Sequence, residues 1–257
     1  MTRLLLFACS LLLFGCATAP APAKLPLDEP KLVLILVGGN SEAIHDGGLW
    51  KLYKGSLSGT SIGLLKSLGH RTKWVGSDVA TYYFSWTGDS EDQRDSWFPD
   101  HSSWITGGSA WIEQSMRGVL AKYPSAKVAV IGWSNGGATA YELACTLSAR
   151  RAPELLVTLD PVSWTTRPCR HYSAGRVPTP TPWINVYTRS GLWSRLNAGN
   201  IIALIGRAWD ADRLPSEVPE ESLHLADRTS HGETEVMWKA VLEDKVFCQW
   251  AESLHAR

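Results

Sequence analysis

The stretch KVAVIGWSNGGATA, residues 127–140, decides how this chain folds. Residues 127–131 form a short aliphatic run that is typical of a parallel strand buried on both faces, and residues 135–151 are predicted to form a helix. Between them lies Gly132-Trp133-Ser134-Asn135-Gly136. A Gly-x-Ser-x-Gly pattern between a strand and a helix places its serine on a sharp, strained turn, where the two glycines let the backbone approach closely. The sequence therefore predicts a serine hydroxyl above the end of a central strand.

Short runs of aliphatic, β-branched or aromatic residues predict further strands. They lie at residues 31–37, 81–86, 154–159, 183–187 and 222–226. Helical spacing of apolar residues predicts helices at 59–69, 110–123 and 233–254. Strands that alternate with helices favour one α/β domain with a mostly parallel central sheet and helices on both faces. Because ligands of such sheets bind at the carboxyl ends of the strands, the residues that follow each strand are the candidates for a functional site.

The strand, turn and helix around Ser134 resemble the nucleophile elbow of the α/β-hydrolase superfamily. The resemblance covers about residues 31–254. It implies an α/β-hydrolase fold and a lipase- or esterase-like serine hydrolase with Ser134 as the nucleophile. It also implies that the acid and the histidine of a catalytic triad follow the serine in that order.

His231 is the predicted general base. It lies between the last predicted strand and the last predicted helix, in the loop from which this fold delivers its histidine. A loop at the carboxyl edge of the sheet can hold an imidazole near the serine oxygen. His224 falls inside the last predicted strand, and the other five histidines precede Ser134, follow Asp160 too soon or stand at the chain end.

Asp160 is the predicted acid, in an unusual place. The superfamily usually carries its acid after the strand predicted here at 183–187, but Thr188-Arg189-Ser190-Gly191 contains no carboxylate. The preceding strand ends in Leu159-Asp160-Pro161, and some lipases of the superfamily carry their acid one strand early in a similar context. Asp210 and Asp212 remain the alternatives.

Backbone N–H groups are expected to form an oxyanion hole. One donor is Asn135, directly after the nucleophile, and the other is Gly39 or Asn40 in the loop after the first strand. Gly38-Gly39-Asn40 resembles the glycine-rich loops of lipases without their histidine. Three tryptophans near the carboxyl ends of predicted strands are candidates for the wall of a substrate pocket or for covers of the sheet edge. They are Trp86, Trp133 and Trp164.

Residues 1–16 resemble the signal peptide of a bacterial lipoprotein. The apolar run is too short to span a bilayer comfortably, and Leu13-Phe14-Gly15-Cys16 resembles a lipobox in which Cys16 becomes lipidated. Phe14 departs from that pattern, so ordinary secretory cleavage near residues 17–19 is the alternative. Residues 17–30 are predicted to be an Ala/Pro-rich tether and residues 31–257 a single domain. The expected location is the cell envelope, with a lipid anchor in the membrane, or else the periplasm or the medium.

The cysteines and the charge balance bear on disulfide pairing, binding partners and cofactors. Cys145, Cys169 and Cys248 would remain after processing, and the sequence leaves their pairing open. Lys plus Arg and Asp plus Glu both number 25, which gives no reason to expect a nucleic-acid partner. Nothing has the spacing of a metal site, and no cofactor is implied.

The leading hypothesis is an exported serine hydrolase that cleaves carboxylic esters or thioesters of small-molecule or lipid substrates. A non-catalytic lipoprotein that uses the fold for binding or scaffolding is the main alternative. An acyltransferase with the same triad is another. The substrate's acyl length and the oligomeric state stay open.

Overall fold

The computed structural model describes residues 29–39, 49, 79–85, 108–147, 151–162, 181–188, 221–224 and 229–254. The strands are β1 (Leu32–Gly38), β2 (Val79–Ser85), β3 (Lys127–Trp133), β4 (Leu155–Leu159), β5 (Trp183–Tyr187) and β6 (Glu221–His224). They pair in the order β2-β1-β3-β4-β5-β6, and every pairing is parallel. The carboxyl ends of β3, β4 and β5 therefore lie side by side at one edge of the sheet.

Helices cover both faces of this sheet. They are α1 (Gly108–Lys122), α2 (Asn135–Thr146), α3 (Thr234–Glu243) and α4 (Lys245–Ser253). All seven residues of β1 are buried, and its side chains alternate between two cores. One core contains side chains of α3 and α4, and the other contains side chains of α1 and α2. This arrangement confirms the predicted α/β class with a parallel sheet.

Most of the predicted strands are found where the sequence placed them. The strand predicted at 183–187 has those bounds, and the one predicted at 127–131 continues to Trp133. The helix predicted at 59–69 and the signal peptide lie outside the described residues. Of the tether, only residues 29 and 30 are described. No helix in the described ranges is long and apolar enough to cross a membrane.

The prediction of one continuous helix over residues 233–254 is wrong. Asp244 adopts an extended conformation (φ −73°, ψ 141°) and separates α3 from α4. Its carboxylate accepts hydrogen bonds from the N–H groups of Val246 and Phe247, at 2.8 and 3.2 Å. An aspartate in this position satisfies donors that a helix start leaves unpaired, so it begins a new helix. The apolar spacing continues across the break, and this is why spacing alone predicted one helix.

Replacing Asp244 with alanine is expected to lower the free energy of unfolding by about 1 kcal/mol, because two buried N–H groups lose their acceptor. Asp244→Asn keeps an acceptor oxygen and should cost less. Urea denaturation followed by tryptophan fluorescence measures both, with the exposed neighbour Glu243→Ala as the control. An equal loss in Glu243→Ala would show that the cap contributes nothing specific.

Candidate active site

Ser134 stands on a strained turn between β3 and α2. Its backbone has φ 56° and ψ −129°, a conformation that non-glycine residues seldom adopt and that recurs at functional sites. A Cβ atom added at Gly132 would lie 2.3 Å from the carbonyl oxygen of Gly136, and one added at Gly136 would lie 2.2 Å from that of Val37. Because these contacts leave no room for a side chain, the two glycines are required. The strained turn therefore lies between a strand and a helix at the position that the sequence predicted.

His231 lies beside the serine hydroxyl. Its Nε2 is 2.9 Å from Oγ of Ser134, and its Nδ1 is 2.6 Å from Oδ2 of Asp160. A carboxylate can only accept, so Nδ1 carries the ring proton and Nε2 accepts from the hydroxyl. The exposed fractions of Ser134, His231 and Asp160 are 3%, 3% and 1%. These three sequence-predicted residues are therefore brought together in the hydrogen-bonded order of a catalytic triad.

Asp160 follows β4 directly and points toward His231. Its backbone has φ 40°, and its N–H donates to the carbonyl of Val186 on β5 at 2.6 Å. Because β4 and β5 are parallel neighbours, a carboxylate at the end of β4 can occupy the space beyond the end of β5. Asp210 and Asp212 lie outside the described residues.

Thr188 lies directly after β5, where the sequence lacks the expected carboxylate, and its sequence context predicts no role for it. Its N–H donates to Oδ1 of Asp160 at 2.9 Å and its hydroxyl donates to Oδ2 at 3.0 Å. These two donors and His231 fix the orientation of the carboxylate. A hydroxyl residue directly after β5, in place of the usual acid, was the signal that could have identified this partner.

The turn that carries His231 is closed by Glu233, which also went unrecognised. The Ser230 N–H donates to the Glu233 carboxylate. The Glu233 N–H donates to the carbonyl of Ser230 at 3.0 Å. The backbone bond closes a four-residue turn just before α3, and the carboxylate accepts from the N–H at the first residue of that turn. Together the two bonds fix the backbone on both sides of the histidine.

Two backbone segments lie next to the nucleophile. The N–H groups of Gly137 and Ala138 donate to the carbonyl of Ser134, which leaves those of Asn135 and Gly136 as the terminal donors of α2 beside the nucleophile. A Cβ added at Gly39 would lie 2.9 Å from Cβ of Ser134, so the loop after β1 contacts the nucleophile. Asn135 and Gly39, the predicted oxyanion-hole residues in the described ranges, thus lie next to Ser134. Asn40 lies outside the described residues.

Trp133 packs against His231. It is 9% exposed, and its indole N–H donates to the backbone carbonyl of His231 at 2.9 Å. Its place in a pocket wall stays a prediction, as do those of Trp86 and Trp164, which lie outside the described residues. In the described part of the chain, no cluster of His, Cys, Asp or Glu could hold a metal ion.

No protein-family model and no curated protein matches this chain. A cell surface hydrolase from Lactobacillus plantarum has a similar structure, with 10% identity, coverage of 88% of this chain and 96% of that one, and a TM-score of 0.50. The chain has an α/β-hydrolase fold. A lidless α/β serine hydrolase from Xanthomonas campestris is 15% identical over 90% of this chain and 86% of its own (TM-score 0.47). The RedJ thioesterase of Streptomyces coelicolor is 14% identical over 93% and 98% (TM-score 0.39).

Ser134, Asp160 and His231 come from three separate segments that meet at the carboxyl edge of the sheet, where ligands of parallel sheets bind. At these identities the likeness concerns the fold, and the chemistry has to be argued from the site itself.

Proposed function

We propose that this chain is an exported serine hydrolase that cleaves carboxylic ester or thioester bonds through an acyl-enzyme on Ser134. The observation that carries the proposal is the buried hydrogen-bonded series from Ser134 through His231 to Asp160, with distances of 2.9 and 2.6 Å. The elbow strain at Ser134 supports it, because backbone strain persists where the surrounding structure maintains it for function.

Each residue of the series has a defined part in the reaction. Oγ of Ser134 attacks the substrate carbonyl while Nε2 of His231 takes the hydroxyl proton, and Asp160 stabilises the imidazolium. Backbone donors of Asn135 and Gly39 would bind the oxyanion. When the carbonyl re-forms, the bond to the leaving alcohol or thiol breaks and His231 returns the proton to it. Water then attacks the acyl-enzyme by the same route, which releases the acid and restores Ser134.

The binding-module alternative relied on the missing acid after β5. Asp160, held by Thr188, fills that space in the structure, so the absence of a carboxylate from β5 no longer favours a non-catalytic role.

A fluorophosphonate probe tests the proposal directly. We expect one equivalent of label on the folded protein, mapped by peptide mass spectrometry to Ser134, and none on heat-denatured protein. Hydrolysis of p-nitrophenyl esters of graded acyl length should be blocked by the label. Absence of labelling, or labelling elsewhere, would instead favour the binding module. If an added alcohol yields more ester by acyl transfer than free acid by hydrolysis, the result would favour an acyltransferase.

A disulfide supports the exported part of this proposal. Cys145 on α2 is buried and disulfide-bonded, while the Cys248 thiol is not in a disulfide and lies 3.7 Å from the carbonyl of Leu242. Structural disulfides persist in oxidising compartments and are rare in the cytosol. If Cys9 is removed with the leader and Cys16 is lipidated, Cys169 is the remaining partner for Cys145.

Alkylation of the protein from the cell envelope should therefore distinguish the three cysteines. Under denaturing conditions without reductant, iodoacetamide is expected to modify Cys248 and to leave Cys145 and Cys169 unmodified. After reduction all three should react. Cys145→Ser is expected to lower the free energy of unfolding by about 2–5 kcal/mol, and Cys248→Ser is the matched control. Full alkylation of Cys145 before reduction would contradict both the pairing and this support for export.

A further inference from the structure

Trp133, the residue directly before the nucleophile, contacts both the backbone and the ring of His231. We propose that Trp133 is a positioning residue, which holds the imidazole of His231 in line with Ser134 throughout the reaction. The proposal rests on the function proposed above and adds a residue to its machinery. It also differs from the expectation that Trp133 walls the substrate pocket.

The first contact is the hydrogen bond from the indole N–H to the carbonyl oxygen of His231, 2.9 Å long and buried. The bond between the His231 ring and Ser134 carries the transferred proton and changes when that proton moves, while the bond to Asp160 orients the ring. The bond from Trp133 goes to the backbone and carries no transferred proton. It can therefore hold the backbone from which the His231 side chain extends at every step of the reaction.

The second contact is between the rings. The indole and the imidazole are stacked, with centroids 5.1 Å apart and planes inclined by 30°. The indole covers one side of the imidazole and blocks rotation toward that side. An aromatic face also attracts a cation, so the stack favours the imidazolium that forms when His231 holds the serine proton.

The third contact keeps Trp133 itself in place. A Cβ added at Gly39 would lie 2.7 and 2.8 Å from two atoms of the indole ring, so the loop after β1 packs closely against it. The ring therefore contacts both Gly39 and His231. A large ring that makes both contacts and is only 9% exposed can hold the His231 imidazole in position. It has little surface left with which to bind a substrate.

Positioning and pocket roles predict different kinetics. A positioning residue acts on proton transfer, so its loss lowers kcat by the same factor for every substrate and leaves KM unchanged. A pocket wall contacts the acyl chain, so its loss changes KM or kcat/KM by a factor that depends on acyl length. Normalising kcat to titrated active sites removes the effect of misfolded protein.

Two substitutions at Trp133 separate its contacts. Trp133→Phe keeps an aromatic ring and loses the N–H donor, and we expect kcat to fall about 5- to 10-fold. Trp133→Leu loses both, and the fall should approach about 10²-fold. Trp250→Phe is the matched control, because Trp250 is another buried tryptophan, in α4, whose indole N–H has no partner in the described part of the chain. Its kcat should equal that of the wild type. Wild-type kcat in both Trp133 variants, or changes that track acyl length, would overturn the proposal.

A measurement without substrate keeps this test separate from that of the proposed function. The Nδ1 proton between His231 and Asp160 should give a low-field proton resonance in the wild type and in Trp250→Phe. It should broaden in Trp133→Phe and disappear in Trp133→Leu, because a displaced imidazole exchanges that proton with water. An inactive wild type with this pattern would contradict the hydrolase and leave the positioning role supported. An unchanged resonance in Trp133→Leu would overturn the positioning role, whatever the activity.

Discussion

Replacing Ser134 with alanine is expected to lower kcat for the best ester substrate by about five to six orders of magnitude. The variant has no oxygen to attack the carbonyl, so the acyl-enzyme cannot form, and the remaining triad members contribute little without the nucleophile. Donors at the oxyanion hole would still act on a direct attack by water, so activity should stay above the uncatalysed rate. KM should change little, because the hydroxyl contributes mainly after binding.

The interpretation of this result depends on an intact fold. Alanine keeps Cβ, and the contacts of Gly39, Gly132 and Gly136 around the elbow do not involve the serine oxygen. Thermal unfolding should therefore be close to that of the wild type. Ser125→Ala, at an exposed turn, is the control and should keep full activity. Residual activity within tenfold of the wild type in purified Ser134→Ala would show that another nucleophile is at work.

The fold could be predicted because its determinants are local in the sequence. The aliphatic run of β3, the glycines that flank Ser134 and the helix start at Asn135 stand within a few residues of each other. Gly132 and Gly136 have no side chain because backbone oxygens lie 2.3 and 2.2 Å from where a Cβ atom would stand. Parallel order then follows from the alternation of strands and helices.

The supporting contacts of the site could not be predicted because they join distant segments. Thr188 acts on Asp160 across 28 positions, and Trp133 acts on His231 across 98. Neither residue belongs to a recognised motif in that role, since any donor at the right place would serve. The break at Asp244 is local, but a capping aspartate in mid-sequence looks the same as an exposed one until its N–H partners are known.

Replacing Asp160 with asparagine is expected to lower kcat about 10⁴-fold, the second-largest effect predicted for this site. In the wild type, Nδ1–H of His231 and both donors of Thr188 converge on the Asp160 carboxylate. Asparagine has one acceptor oxygen for these three donors, and its NH₂ group must face at least one of them. The imidazole then adopts the wrong tautomer or turns away, so Nε2 no longer accepts the serine proton.

Asp244→Asn is the matched control for this change, because it makes the same substitution at another buried aspartate, in the cap of α4. It should keep full activity. Thr188→Val is a graded companion: it removes the hydroxyl donor to Oδ2 but keeps the backbone donor to Oδ1, and kcat should fall about tenfold. Near-wild-type activity in Asp160→Asn would move the acid's role to Asp210 or Asp212. A large loss of kcat in Asp160→Asn and a smaller loss in Thr188→Val is the expected result if the acid follows β4 and Thr188, after β5, orients it.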